Sequence, residues 1–216
     1  PLGGVAPLGF SGDFVAFLYV MSLATVAIVL GGFASGNPYA YVGASREIMM
    51  TLTAEPVMAI ALVAMAVRAG TLSLEGIVQQ QSWGPSVSGV VAAVAFLLAL
   101  SALIGKLPFD VPEAETEIVA GALTEYSGRG LALFHLGRSV EFVVGLTLVA
   151  AFYLGGVANP LLFFAKTLVL LAAMSGGQAV LARLRIDQTV GLWWRYGALL
   201  VLAQYLVVIV WEGVVA

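Results

Sequence analysis

The chain contains no cysteine and a single histidine, His135. The missing cysteines exclude disulfide bonds, and they exclude zinc sites or iron–sulfur clusters held by thiolates of this chain. One histidine cannot build a metal site without several carboxylates beside it. We therefore predict no metal site and no catalytic residue here, and any electron-carrying centres must belong to other chains.

Charge is also scarce. Charged residues make up 10% of the chain and hydrophobic residues 61%, whereas soluble domains carry about 25% charge. No charge occurs between Asp13 and Arg46, or between Glu75 and Lys106, and each interval exceeds the roughly 20 residues that cross a bilayer. Strand alternation is missing, which favours helices over a β-barrel. The composition predicts an all-α integral membrane protein, with the lipid bilayer and not nucleic acid around it.

Six apolar segments are predicted to span the membrane within a single domain, residues 1–216. The predicted spans are residues 14–33, 48–67, 87–105, 131–154, 160–181 and 196–211. Connectors one, three and five hold six arginines and lysines, whereas the opposite side holds only Arg68. By the positive-inside rule this basic side is cytoplasmic, so we expect a multi-pass protein of the cell inner (plasma) membrane.

The third connector concentrates acidic residues. Five of the twelve acids of the chain lie in it: Asp110, Glu113, Glu115, Glu117 and Glu125. Such crowding of like charge exceeds what solubility requires. Either the connector is a solvated acidic loop, or protons, cations or a basic partner compensate its charge, and we favour the second interpretation.

The same connector has the pattern of a short amphipathic helix. Asp110 is a suitable N-cap with Glu113 three positions on, and Pro112 fits a first helical turn. A helix is therefore predicted over residues 111–126 on the cytoplasmic side. Its apolar positions would form a docking face for partner subunits, made of Ile118, Val119, Leu123 and Tyr126.

Several ionisable residues lie inside predicted spans, among them Glu55, Glu141 and Lys166. Glu55 precedes Pro56, which puts a charge and a helix irregularity at the same depth. A carboxylate in a span costs about 2.5–3.5 kcal/mol and indicates function, unless it pairs with a neighbouring helix for assembly alone. Glu141 stands one turn after Arg138, so the two can pair. Lys166 could either reach the near interface or point into the bundle.

Three segments of the chain resemble the signatures of one membrane-protein family. Pro108-Phe-Asp-Val-Pro-Glu-Ala-Glu-Thr-Glu-Ile-Val-Ala-Gly121 resembles the signature loop of the membrane subunit shared by respiratory complex I and energy-converting nickel–iron hydrogenases. Gly32-Phe-Ala-Ser-Gly-Asn37 and Arg183-Leu-Arg-Ile-Asp-Gln188 resemble the two other signatures. The resemblance covers almost the whole chain, and family members of eight spans would place two further helices before Pro1.

Within this family the chain is more similar to the hydrogenase and formate hydrogenlyase branch. The segment Gly43-Ala-Ser-Arg-Glu47 and the pair Glu55-Pro56 carry this similarity. In the quinone-reducing branch a tyrosine would be expected where this chain has Ala54, and an acid where it has Arg138.

The resemblance implies a subunit without redox centres that docks an iron–sulfur arm and links redox chemistry to the translocation of protons or sodium ions. Implied partners are peripheral iron–sulfur and large hydrogenase-type subunits, which would hold the iron–sulfur clusters and a nickel–iron centre, and antiporter-like membrane subunits. The implied ion path comprises Glu55, Asp110, Glu113, Glu115, Glu117, Glu125, Glu141 and Lys166. The implied counter-charges and their neighbour are Arg46, Arg138, Arg183, Arg185 and Asp187.

Three other functions stay open at this point. The chain could be the quinone-site membrane subunit of respiratory complex I, with a quinone as cofactor. It could be a stand-alone ion-coupled transporter, for which charges at mid-membrane are typical, although no internal repeat is visible. It could also be a structural anchor whose charged residues only hold partners.

Overall fold

The computed structural model describes residues 9–80, 87–155 and 159–215, without the side chains of residues 87, 88, 115, 116, 204, 207–209 and 211–215. All regular structure in this part is helical, which confirms the predicted all-α class. The helices are α1 Asp13–Ala34, α2 Pro38–Ala69, α3 Leu74–Gln79, α4 Val87–Leu103, α5 Glu115–Ile118, α6 Gly128–Phe152, α7 Pro160–Val180, α8 Ile186–Leu192 and α9 Ala198–Val215. A 3₁₀ turn, Gly121–Leu123, follows α5, and a π-helical turn, Trp193–Gly197, joins α8 to α9.

Four of the described helices are long and apolar enough to cross a membrane, namely α1, α2, α6 and α7. The other two predicted spans correspond to α4, which is a shorter apolar helix, and to α9. The protein is therefore a helical membrane protein, and the arrangement with six spans remains a prediction.

Helix α2 begins ten residues earlier than predicted. The Asn37 side chain accepts a hydrogen bond from the Tyr39 amide at 2.8 Å, and Pro38 takes the first helical position, where its missing N–H is not needed. The helix then continues through Pro56, so the expected irregularity does not break it. Its 32 residues extend about 48 Å, well beyond a hydrocarbon core of about 30 Å. Part of α2 therefore projects from the membrane.

Helix α2 also forms the centre of the bundle. It packs against α1, α4 and α9. Small buried residues at the contact, such as Ala54 and Ala61 of α2 and Ala99 of α4, let the helices approach closely. Helix α7 is peripheral, and none of its residues is buried.

The predicted amphipathic helix over residues 111–126 is wrong. The chain forms only the single turn α5 and the 3₁₀ turn, and between them Val119 has a φ of +62° that helices do not allow. At Gly121, where φ is +56°, a side chain would collide with the Pro112 carbonyl, so the segment folds back on itself. The N-cap of α5 is Ala114 and not Asp110. We call residues 106–127 the acidic loop.

The predicted docking residues do not share one exposed face. Ile118 and Leu123 are buried within this chain, and only Val119 is clearly exposed. Tyr126 donates its hydroxyl proton to the Gly31 carbonyl at 3.0 Å and packs edge-on against a phenylalanine of α6. Docking of a partner on the acidic loop remains a prediction. Of the four predicted docking residues, Val119 is the one whose side chain is exposed enough for a partner to contact it.

The three connectors predicted on the basic side meet at one end of the bundle. Asn37 donates from its side chain to the Glu125 carboxylate, and the Leu184 amide donates to the Pro108 carbonyl at 2.9 Å. At the opposite end the Asp13 carboxylate accepts from the first amide of α3 at 2.7 Å. The acidic loop thus lies at the same end as the connectors before α2 and α8.

The backbone contact between α2 and the 3₁₀ turn generates a stability prediction. A Cβ atom on Gly43 would collide with the amide nitrogen of Ala122 and lie 2.5 Å from the carbonyl carbon of Gly121. We expect Gly43→Ala to lower the free energy of unfolding in detergent micelles by about 1–3 kcal/mol, because backbone cannot yield as a side chain can.

The matched control is Gly137→Ala on α6, where an added Cβ meets nothing within 4 Å. Alanine should stabilise that helix by up to about 1 kcal/mol. Equal unfolding free energies for the two variants would contradict the close contact.

Candidate functional site: a buried ionic cluster beneath the acidic loop

Arg138 joins the acidic loop to the interior of the bundle. It projects from α6, and its Nη1 donates to Glu113 Oε1 of the acidic loop at 2.5 Å. Its Nη2 donates to Glu47 Oε1 of α2 at 3.1 Å. The planar guanidinium presents its donors in a rigid fork and therefore holds both carboxylates in a defined geometry. We call Glu47, Glu113, Arg138 and Glu141 the ionic cluster.

Three members of the ionic cluster, Glu47, Arg138 and Glu141, are buried, but the pairing of the cluster is incomplete. Glu47 is 2% exposed and Arg138 is 7% exposed. Burying an ion costs several kcal/mol, which pairing offsets only when the remaining polar atoms are also hydrogen-bonded. In the described part of the chain, Glu47 Oε2 and Arg138 Nε have no hydrogen-bond partner. The two atoms keep hydrogen-bonding capacity that the described residues do not use.

Glu141 brings a further carboxylate into the same environment. It is buried, and it interacts electrostatically with Arg138, Glu47 and Glu55. The predicted direct pair between Arg138 and Glu141 is not formed, because Arg138 directs its terminal nitrogens to Glu47 and Glu113 instead. One guanidinium therefore serves several carboxylates, which cannot all ionise without repelling one another.

Glu55 lies next to this cluster and contacts α1. Its Oε1 is hydrogen-bonded to the hydroxyl of Ser22, which also lies 3.1 Å from the Leu18 carbonyl oxygen. A hydroxyl has one proton and can donate to only one of these acceptors at a time. The Ser22 hydroxyl therefore links Glu55 of α2 to the backbone of α1.

Arginines from three different elements hold the acidic loop. Asp110 pairs with Arg183 at 3.1 Å, Glu113 with Arg138, and Glu117 with Arg46 at 2.6 Å. Arg46 lies in the part of α2 near this end of the bundle, and Arg183 precedes α8. Ion pairs and the packing of buried apolar residues such as Ile118 and Leu123, rather than regular secondary structure, determine the position of the loop.

The outermost of these pairs keeps a surface carboxylate ionised. The hydrogen bond from Arg46, and next its charge, hold the pKa of Glu117 below its usual value, and the charges of Arg183 and Arg185 act in the same direction. Because Glu117 is half exposed, solvent screens this pair and its contribution to stability is small. Arg185 and Asp187 are exposed at the start of α8.

Lys166 of the predicted ion path is not brought to the cluster. Lys166 donates to the Leu154 carbonyl at 2.5 Å, just beyond the far end of α6. At 1.5 Å per helical residue, this end of α6 lies roughly 20 Å from Arg138 along the helix axis. Lys166 thus caps α6 rather than joining the carboxylates. The side chain of Glu115 lies outside the described part. Among described residues, no group of histidine, aspartate and glutamate could hold a metal ion.

Sequence reasoning misses Glu47 as a site residue because it assigns this position to a connector. The signal is present at the start of α2, where asparagine followed by proline is typical of an N-cap and first helical position. With the helix extended to this start, Glu47 continues the stripe formed by Met50, Ala54 and Ala61, all of them buried. A carboxylate on that stripe is predicted to be interior.

Comparison with known proteins identifies the family. The description of the matching family is NADH dehydrogenase, and the match extends over residues 1–209. The chain belongs to the NADH dehydrogenase family. This confirms the resemblance to the membrane subunit shared by complex I and energy-converting hydrogenases.

Members of both branches are similar in sequence. One of the NADH-quinone oxidoreductase subunits of Thermomicrobium roseum is 38% identical over 200 residues, covering 84% of this chain and 59% of that protein. Hydrogenase-4 component C of Escherichia coli K12 is 38% identical over 152 residues, covering 69% of this chain and 48% of that protein. This NADH dehydrogenase family chain spans about three fifths of the length of its Thermomicrobium roseum relative.

A solved structure has the same arrangement of helices. It is that of the membrane-bound sulfane sulfur reductase, an archaeal respiratory membrane complex. The similarity has a TM-score of 0.73 with 27% sequence identity, and covers 84% of this chain and 64% of that chain. These NADH dehydrogenase family relatives are components of larger membrane complexes.

The buried pairing generates a prediction for Arg138. Arg138→Met keeps the approximate volume but leaves the buried Glu47 and the partly exposed Glu113 without a counter-charge, so we expect a loss of about 3–5 kcal/mol in the free energy of unfolding. Arg46→Gln, which breaks the more exposed pair with Glu117, should cost at most about 1 kcal/mol. Denaturant titration in detergent micelles measures both values.

A second substitution separates lost charge compensation from lost packing. Adding Glu47→Gln to Arg138→Met removes one uncompensated charge and should restore part of the stability. A double variant as unstable as Arg138→Met alone would show that packing, and not charge, accounts for the loss.

Proposed function

We propose that this chain is the coupling and anchoring membrane subunit of a multi-subunit complex I-like oxidoreductase, and that it links redox chemistry in a peripheral arm to ion translocation. The observation that carries the proposal is the position of Arg138, which bonds a carboxylate of the acidic loop and a carboxylate of the bundle at once. A partner that moves the acidic loop therefore changes the electrostatic environment inside the membrane domain.

The size of this effect is sufficient for coupling. Two unit charges interact with about 4 kcal/mol at 4 Å and about 2 kcal/mol at 8 Å when the effective dielectric constant is about 20. The difference of about 2 kcal/mol changes a proton affinity by more than tenfold. A loop displacement of a few ångströms relative to Arg138 could thus load or release a proton on the carboxylates that share it.

The arrangement supports a path that begins at the acidic loop. Glu113 is partly exposed and contacts Arg138. Glu47 and Glu141 are buried. Glu55 is near enough to act electrostatically on Glu141, and it lies beside α1. In our proposal ions pass in that order, with Asp110, Glu117 and Glu125 holding the loop in place. Because a guanidinium in the centre repels metal cations, the geometry favours protons over sodium ions as the ion carried.

We place the chain in the hydrogenase-type branch, where partners would include peripheral iron–sulfur and large nickel–iron subunits and antiporter-like membrane subunits. The similarity to hydrogenase-4 component C, together with Ala54 and Arg138, supports this branch. The acidic loop would face the cytoplasm, and the chain would lie in the plasma membrane.

A quinone-site subunit is the second candidate, because similar proteins include components of NADH-quinone oxidoreductases. A described cavity of about 650 Å³ is lined by Val63, Val67, Gly70 and neighbouring residues, at the end of α2 opposite the acidic loop. It gives no support to a quinone site coupled to that loop. The similar proteins belong to multi-subunit complexes, which argues against a stand-alone transporter.

The branch predicts which subunits accompany the chain. Purification in mild detergent through an affinity tag, followed by mass spectrometry, should recover a large nickel–iron subunit together with iron–sulfur and antiporter-like subunits. Recovery of a quinone-reductase peripheral arm without nickel would instead place the chain in the quinone branch.

The proposed path predicts a loss of coupling without a loss of assembly in Glu55→Gln. Glutamine keeps the shape and the contact with Ser22 but cannot exchange a proton. Ion uptake into proteoliposomes, driven by the complex's own redox reaction and normalised to assembled enzyme, should fall at least tenfold. The control Glu75→Gln, at the opposite end of the bundle, should leave uptake unchanged. Assembled Glu55→Gln enzyme that translocates at the wild-type ratio would make Glu55 a structural residue.

A further inference from the structure

The π-helical turn between α8 and α9 displays an unusual side-chain pattern. Such turns are rare within helices and are frequent at functional sites. In this one, Trp193 is buried, whereas the three following side chains are all exposed. Trp194 is 66% exposed and Tyr196 is 68% exposed, and Arg195 stands between them. The turn therefore presents a cation flanked by two aromatic rings.

Close packing holds this turn in place. The ring of Trp193 lies against Phe109 of the acidic loop, with centroids 5.4 Å apart. On the other side Gly197 approaches so closely that a Cβ atom there would be 2.7 Å from the Trp193 ring. The π-helical turn is thus a packed part of the fold, and its exposed residues have a fixed position relative to the acidic loop.

The sixth predicted span, which contains most of α9, would place the turn at the depth of lipid headgroups. The 18 residues of α9 extend about 27 Å, close to the thickness of the hydrocarbon core. The pair of Arg183 with Asp110 ties the residues before α8 to the acidic-loop end. With α9 across the bilayer, as its sequence predicts, the turn occupies the boundary between hydrocarbon and headgroups, where tryptophan and tyrosine are enriched in membrane proteins. Leu199, Leu202 and Leu206 beyond it are exposed and apolar.

Arg195 has no acidic partner among the side chains that the structure describes. An arginine exposed to water needs no acidic partner, but an arginine at the membrane boundary has hydrocarbon on one side. A guanidinium offers a planar fork of donors that matches phosphate oxygens. Phospholipid phosphate is the anion available at the boundary, and the leucines of α9 offer a surface for the acyl chains.

We propose that Arg195, between Trp194 and Tyr196, binds the phosphate of an anionic phospholipid in the leaflet on the acidic-loop side. The lipid would rest its chains against the exposed leucines of α9. Because Trp193 of the same turn packs on the acidic loop, a bound lipid would also stabilise the position of that loop.

The test measures lipid selectivity in the intact membrane complex. The complex is reconstituted into phosphatidylcholine vesicles with a minor share of phosphatidylglycerol and extracted again in mild detergent. The retained lipids are then quantified by mass spectrometry. We expect phosphatidylglycerol to be enriched over the vesicle composition. Arg195→Gln should lower the apparent affinity about fivefold, which corresponds to about 1 kcal/mol for one basic residue near the membrane surface. Arg195→Lys should retain only part of the enrichment, because an ammonium keeps the charge but lacks the planar fork of donors.

Arg129→Gln is the matched control, because Arg129 is an exposed arginine at the start of α6 on the same side. It should leave the enrichment unchanged. Equal loss in both glutamine variants would indicate diffuse attraction and overturn the site, as would undiminished enrichment in Arg195→Gln. Competition by inorganic phosphate at concentrations equal to the lipid would show a simple anion site instead. None of these readouts depends on redox activity, so failure here leaves the proposed function unaffected.

Discussion

The fold depends on one arginine in a buried position, where an ionised side chain costs several kcal/mol of desolvation free energy. Arg138 is buried among carboxylates from α2, α6 and the acidic loop. Stability alone does not explain such an arrangement, since apolar residues of similar volume are often as stabilising as a buried ion pair or more so. What the ion pairs provide is a defined position for each carboxylate, and a response of all of them when any one changes its charge. The membrane domain and the loop therefore behave as one electrostatic unit.

The acidic loop shows how charge can replace regular secondary structure. Its backbone forms two isolated helical turns, and its acids reach arginines on three separate elements. Buried apolar side chains of the loop, such as Ile118 and Leu123, pack against the bundle at the same time. Ion pairs and packing together therefore hold a segment that has little regular secondary structure of its own.

Sequence reasoning succeeds where a single local property decides the structure. Apolar length and low charge are enough to predict helices in the regions of α1, α6 and α7, and the sequence motifs are enough for the family. Sequence reasoning fails where the conformation of a residue depends on a partner that lies far away along the chain. Asp110 has the local features of a helix cap, yet Arg183, 73 positions later, engages it instead. Glu47 is misassigned to a connector because Asn37 and Pro38 are not recognised as the N-cap and first residue of α2.

The π-helical turn of Trp193–Gly197 holds one residue more than an α-helical turn would. If that extra residue moved along the helix, the segment on one side would rotate by about 100° and advance by about 1.5 Å relative to the other. Arg183, just before α8, would then leave Asp110, and the ring of Trp193 would leave Phe109. The contacts of Arg183 with Asp110 and of Trp193 with Phe109 therefore fix the extra residue at one place and hold the helix in a single register.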